Sequence, residues 1–195
     1  MNLYLTLQAF IVLFIIVDPF GNIPIFISIT ENMSVKERLK VFNTASITAF
    51  LILFISSIFG NSILQLFNVS IDDFRIAGGL LLFVIAVNLL FKGSKQFDQA
   101  HLEDIGAVPL GCPLLAGPGA ITTAIVGIGL YGIAEMLAAL LLCFFVTWIT
   151  LYFSENIGRF FGKAGTLILV KVMAILIATI SVSFVTAGIK NIFLR

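Results

Sequence analysis

The sequence predicts an all-α integral membrane protein: six transmembrane helices, built as two inverted three-helix repeats whose first helices are broken. Three observations lead there. The composition is too apolar for water, the apolar runs are separated only by short charged segments, and two of those runs carry matching proline breaks. Of 195 residues, 60% are hydrophobic and 11% charged, and twenty are Phe. Mean hydropathy is +1.16. A soluble domain carries about 25% charged residues, so this chain lacks the polar surface to face water. A bilayer core of about 30 Å takes about 20 apolar residues per helix, so six spans use roughly 120 residues. The remainder suffices for loops alone. One transmembrane domain, 1–195, is expected, divided into repeats at 1–92 and 105–195.

Along the chain, the first apolar run covers Leu3 to about Ile29, interrupted at Asp18-Pro19 and at Pro24. It lacks a basic leader and a small-residue cleavage site, so it reads as a retained helix. A charged segment (Glu31, Lys36, Glu37, Arg38, Lys40) precedes a second span within Val41–Gly60. Asn61, Gln65 and Asn68 mark a short polar connection, and a third span covers Arg75–Phe91. The polar stretch from Lys92 to Asp104 leads to a fourth run from Ala107, which contains Pro109, Pro113 and Pro118 and cannot be one straight helix. Tyr131-Gly132 reads as a turn. A fifth span over Met136–Ser154, a charged loop with Glu155, Arg159 and Lys163, and a sixth span over Thr166–Ile189 complete the chain.

Asp18-Pro19 and Gly117-Pro118 share a logic. Proline is favoured at the first position of a helix, where its missing N–H costs nothing, and both Asp and Gly are accepted N-caps. Each run therefore reads as two half-helices with a new N-terminus inside the membrane. The separation of Asp18 from Gly117 nearly equals that of Arg75 from Lys171, which open similar small and aliphatic runs in spans three and six. Three spans per copy invert the second copy, and inverted repeats with broken helices at the midplane are a transporter plan. The simpler alternative is two ordinary helices kinked by proline, which membranes tolerate.

Asp18 is the one acidic residue deep in an apolar run, and charge there costs a few kcal/mol by insertion scales. It can cap a helix, bind a solute, or both. Asn22 lies one turn on, Gly21 allows close approach, and Pro24 frees a backbone carbonyl. Gly117, Gly119 and the hydroxyls of Thr122 and Thr123 stand at the second break, where a helix N-terminus favours an anion. Asp18, Gly21, Asn22, Gly117, Gly119, Thr122 and Thr123 are the candidate substrate- or ion-binding residues. Pro19, Pro24, Pro113 and Pro118 are the structural breaks. Together the half-sites suit a small zwitterionic or neutral solute, its ammonium at Asp18 and Asn22 and its carboxylate at the helix terminus.

Other chemistry has less support. Cys112 and Cys143 fall in apolar runs and read as small core residues; His101 with Asp98, Glu103 and Asp104 reads as a solvated loop. Lys171 snorkels more readily than it pairs with Asp18, and Gly158 and Gly162 flank Arg159 at a membrane edge. No paired carboxylates, intramembrane His or phosphate-binding glycine loop supports an enzyme or an ATP-driven pump. A net charge of +1 gives no field for nucleic acid. No cofactor and no metal is expected.

The run Asp18-Pro19-Phe20-Gly21-Asn22-Ile23-Pro24-Ile25-Phe26 resembles the D-P-x-G-N-x-P signature of the MarC family of inner-membrane proteins. Pro113 to Thr122 is similar to that family's second signature, and Ile76-Ala77-Gly78-Gly79 also fits. The resemblance covers essentially the whole chain. It implies a six-span protein related to LysE-type amino acid exporters, a family in which some members are described as transporters of small neutral amino acids. The reading is therefore a multi-pass secondary transporter of such solutes, with H⁺ or Na⁺ as candidate coupling ion and the bilayer as its surroundings. A passive pore and a non-transporting membrane assembly or stress factor are the alternatives. A homo-oligomer is compatible with the sequence.

Lys and Arg accumulate in cytoplasmic loops. Lys36, Arg38, Lys40, Lys92, Lys95, Arg159 and Lys163 share one side, against Arg75, Lys190 and Arg195 on the other. Both termini are thus expected outside the cytoplasm. Single cysteines replacing Glu31, Asp98 and Gly162 should resist an impermeant thiol reagent in intact cells, and one replacing Asn61 should react; the reverse pattern overturns the orientation.

Overall fold

A computed structural model describes residues 2–23, 26–27, 30, 33–92 and 115–193. Pro24, Pro113, Cys112 and the whole stretch from Asp98 to Pro109 lie outside the described residues. Apart from turns and short connections, those described are helical, with no strand. The helices are α1 (Leu3–Val17), α2 (Val35–Leu66), α3 (Ile71–Lys92), α4 (Pro118–Tyr131), α5 (Ile133–Tyr152) and α6 (Ser154–Phe193).

Four segments are long and apolar enough to cross a bilayer: Val35–Leu66, Ile71–Phe91, Ile133–Tyr152 and Ala164–Phe193. α1 and α4 have 15 and 14 residues. At 1.5 Å per residue each rises roughly 20 Å, short of a full crossing. Each stops or starts at one of the two breaks. The outward faces are apolar as well: Leu80, Phe145 and Ile168 are all more than half exposed, a surface that only lipid covers at low cost.

Local chemistry explains the helix ends. Ser34 and Glu37 form a reciprocal capping box that starts α2, with the Ser34 N–H donating to Glu37 at 2.8 Å. Ser70 and Asp73 do the same for α3, the Asp73 N–H reaching Ser70 Oγ at 3.0 Å. Gly132, at φ 96°, turns α4 into α5 as expected. Two expectations need correction. Asn61 and Gln65 do not form a connection but lie in the last turns of α2, which continues through Gly60 to Leu66 and is followed by Asn68 in the left-handed region, at φ 54°. The charged stretch after α5 is not a loop either. It is helical from Ser154, and the chain changes direction at Gly162 (φ 62°, ψ −178°), a conformation that side chains disfavour.

Bonds between helix ends fix the topology. The Asn2 N–H donates to Glu135 at 2.8 Å, joining the starts of α1 and α5. Asn191 Nδ2 donates to Asp72 at 3.0 Å, joining the end of α6 to the start of α3. Trp148 Nε1 donates to Asn43 at 2.6 Å, laying the start of α2 beside the end of α5. Both ends of the described chain therefore lie at one end of the bundle.

The most extensive contact is between α3 and α6. A Cβ on Gly79 would meet Val185 at 2.8 Å and the Ser181 carbonyl at 2.9 Å, and one on Gly188 would meet Ile76 at 2.6 Å. Small residues let the two backbones approach closely, the main route to helix association in lipid. α1, α2, α4 and α5 pack mainly among themselves. Phe26 stacks edge-on against Phe42, centroids 5.5 Å apart, and holds the segment after the first break against α2. Gly79→Ala should lower the melting temperature in detergent clearly. Gly129→Ala, exposed and with nothing within 4 Å, should leave it unchanged or raise it slightly, since Ala favours a helix interior over Gly by up to about 1 kcal/mol; equal losses in both variants would remove close α3–α6 packing as the reason for Gly79.

Candidate functional site

α1 ends where Asp18 turns into the left-handed region (φ 46°, ψ 59°), its N–H still bonded to the Phe14 carbonyl at 3.0 Å. The same residue starts the next turn. Its carboxylate Oδ1 accepts the Gly21 N–H at 2.9 Å, and its carbonyl accepts the Asn22 N–H at 3.2 Å. Asp18 is thus the C-cap of α1 and also the side-chain cap of the turn that follows, a fuller structural role than an N-cap alone. Asn22 Nδ2 donates to the Val17 carbonyl at 3.1 Å, satisfying one of the acceptors that α1 leaves open. Helical bonding then resumes, with Phe26 N–H to Asn22 carbonyl at 3.0 Å. A Cβ at Gly21 would collide with the Asp18 carboxylate, so glycine is what lets that carboxylate lie against the backbone.

The second break is built differently. Gly117 is an extended N-cap (φ −65°, ψ 169°) with no side chain to cap α4, and Pro118 takes the first helical position. The amides of Gly119 and Ala120 come next, without intrahelical acceptors, at the positive end of the helix.

The two breaks meet around one cavity of about 280 Å³. Asp18, Gly21 and Asn22 line it from the first break, and Gly117, Pro118, Gly119 and Ala120 from the second. Ile16 and Val17, the last turn of α1, add to the wall. Leu82, Ile85 and Leu89 of α3 and Ile177 of α6 close the apolar side. Asp18 is only 6% exposed.

Thr122 and Thr123, expected at the site, are absent from the cavity wall. Their hydroxyls donate back to the Pro118 carbonyl at 2.9 Å and the Gly119 carbonyl at 2.8 Å, the usual way a helix satisfies Thr away from water. Thr122 fills the hollow over Gly78 of α3, where a Cβ would collide with it. Pro19 sits in the turn beside the cavity and Pro118 in its wall, while Pro24 and Pro113 fall outside the described residues. Lys171 is exposed, whereas Asp18 is buried. Arg75, its partner in the sequence comparison, is buried 3.8 Å from Asp72, so the two cations occupy unlike surroundings. Among the described residues no His, Cys, Asp and Glu cluster suits a metal. Cys143 is buried in the core, without a disulfide. The apolar wall was missed: Leu82, Ile85 and Leu89 follow helical spacing, but so does any core stripe.

Comparison with known proteins decides the family. The profile of the MarC family integral membrane proteins matches residues 3–193. The chain belongs to the MarC family. A UPF0056 membrane protein of Archaeoglobus fulgidus is 39% identical, covering 94% of this chain and 91% of its own. YhcE of Escherichia coli, also named a UPF0056 membrane protein, is 38% identical over 95% of this chain and 92% of its own. A UPF0056 membrane protein of Buchnera aphidicola is 38% identical over 96% and 92%. No solved structure matches. The MarC protein described here is accordingly an integral, multi-pass membrane protein.

The geometry of Asp18 orders a set of variants. Asn tolerates the left-handed region and can accept the same Gly21 N–H, so Asp18→Asn should melt close to wild type. Asp18→Ala loses the cap and keeps the unfavourable φ, and should lose roughly 1–2 kcal/mol. Asp18→Gly relieves φ without restoring the cap and should fall between them. An Ala variant as stable as the Asn variant would show that the carboxylate caps nothing.

Proposed function

We propose that this MarC protein is a secondary transporter of small neutral amino acids, with its binding site at the cavity between the two helix breaks. One observation carries the reading: a buried carboxylate and an uncapped helix N-terminus, from breaks distant in sequence, line the same small cavity. The first suits an ammonium and the second a carboxylate. The volume, about 280 Å³, lies just below the range of about 300–1,000 Å³ typical for drug-sized ligands, which favours a small solute.

The inverted repeat belongs to this reading. α2 begins at Val35 and α5 at Ile133, each shortly after its break, and α3 and α6 follow in the same order. Segment by segment, Pro19 onward corresponds to Pro118 onward, and α1 corresponds to the stretch before Gly117. With six spans, the lysine- and arginine-rich ends lie in the cytoplasm of an inner membrane and both termini lie outside. No catalytic chemistry is assigned to the site. H⁺ and Na⁺ are both candidate coupling ions.

Purified protein in proteoliposomes should accumulate labelled glycine or alanine, saturably and in response to a pH or Na⁺ gradient. Asp18→Asn, though folded, should lose the gradient-dependent part. Full flux in Asp18→Asn would reduce Asp18 to a cap, unsaturable flux without gradient dependence would indicate a pore, and no amino acid flux in wild type would overturn the proposal.

A further inference from the structure

We infer that Leu82 sets the length of the solute side chain that the cavity accepts. The inference rests on the proposed reading of the cavity as an amino acid site and adds to it the residue that selects among amino acids. In an α-amino acid the side chain leaves the carbon that lies between the ammonium and the carboxylate. With the two charged ends held at Asp18 and at the Gly119 and Ala120 amides, the side chain must project towards a wall lying between them. Leu82, Ile85 and Leu89 of α3, with Ile177 of α6, make its aliphatic part.

Leu82 occupies it most closely. Its side chain lies so near Gly119 that a Cβ there would collide with it, which places Leu82 beside the amides assigned to the carboxylate. It is 2% exposed, whereas Ile85, one turn further along the same face, is 38% exposed. Leu82 is therefore the buried part of this wall, beside Gly119, and Ile85 its exposed part. α3 is itself held by close backbone packing on α6, through Gly79 and Gly188, so the wall cannot retreat readily to admit a longer chain. Size selection by a stiff apolar wall discriminates roughly 10- to 200-fold per methylene.

The test uses wild type, Leu82→Val, Leu82→Phe and Leu80→Val in proteoliposomes. Leu80 is on α3 but 55% exposed, so its variant controls for a general effect on the helix. Counterflow of labelled alanine is competed with unlabelled glycine, alanine, aminobutyrate and norvaline, and melting temperatures are measured alongside. Leu82→Val should improve competition by the longer chains relative to glycine about tenfold, Leu82→Phe should shift preference towards glycine, and Leu80→Val should rank them as wild type does. An unchanged ranking in a folded Leu82→Val protein overturns the inference, whatever becomes of the Phe variant. Absence of any amino acid counterflow in wild type overturns the underlying function as well, and is distinguished by failing before any variant is compared.

Discussion

Everything at the centre of this protein depends on one constraint: backbone polar groups released inside a membrane must find partners within the protein. Breaking a helix at Asp18 strands amides on one side and carbonyls on the other. The chain meets the demand with neighbouring residues. Asp18 takes the Gly21 N–H, and Asn22 returns a donor to the Val17 carbonyl. The break is thus closed without a second helix having to supply groups, and irregular backbone can persist beside a cavity. At Gly117 there is no such internal closure. Gly119 and Ala120, which follow, line the same cavity, so the constraint becomes a feature of the site.

The rest of the bundle holds these breaks in register. α3 and α6 form a tight pair through glycines, while α1, α2, α4 and α5 pack mainly with each other. The cavity lies along the seam, with breaks on one side and the aliphatic face of α3 on the other. Among the described residues, Gly78 against Thr122 and Gly119 against Leu82 cross it at close range. Both pair a glycine with a larger side chain, which locates the seam by shape as well as by sequence.

Much of this was legible in the sequence because apolar length and proline breaks act locally. The positions of the breaks, the turn at Gly132 and the grouping of Asp18, Gly21, Asn22, Gly117 and Gly119 all follow from such signals. What was not legible depends on packing or on competition between equally allowed bonds. A Thr hydroxyl one turn into a helix can face a cavity or its own carbonyl, and sequence does not say which; Thr122 and Thr123 chose the latter. Leu82 looked like any core leucine until Gly119 was found beneath it. The end of α2 was not legible because polar residues such as Asn61 and Gln65 are tolerated within an exposed helical turn as readily as in a loop.

Capping and solute binding at Asp18 are compatible because they use different atoms. Oδ1 accepts the Gly21 N–H, and a carboxylate has a second oxygen and further lone pairs for a ligand. On the proposed repeat, the difference between the breaks then has a purpose. Two identical breaks related by a pseudo-twofold axis would present the same charge from both sides, suited to a symmetric ligand or to none. Asp at one break and Gly at its counterpart set a carboxyl group opposite a helix end whose N-cap has no side chain. The poles of a zwitterion are complementary to such a pair, its apolar substituent lies between them, and the aliphatic face of α3 borders the space where that substituent would lie.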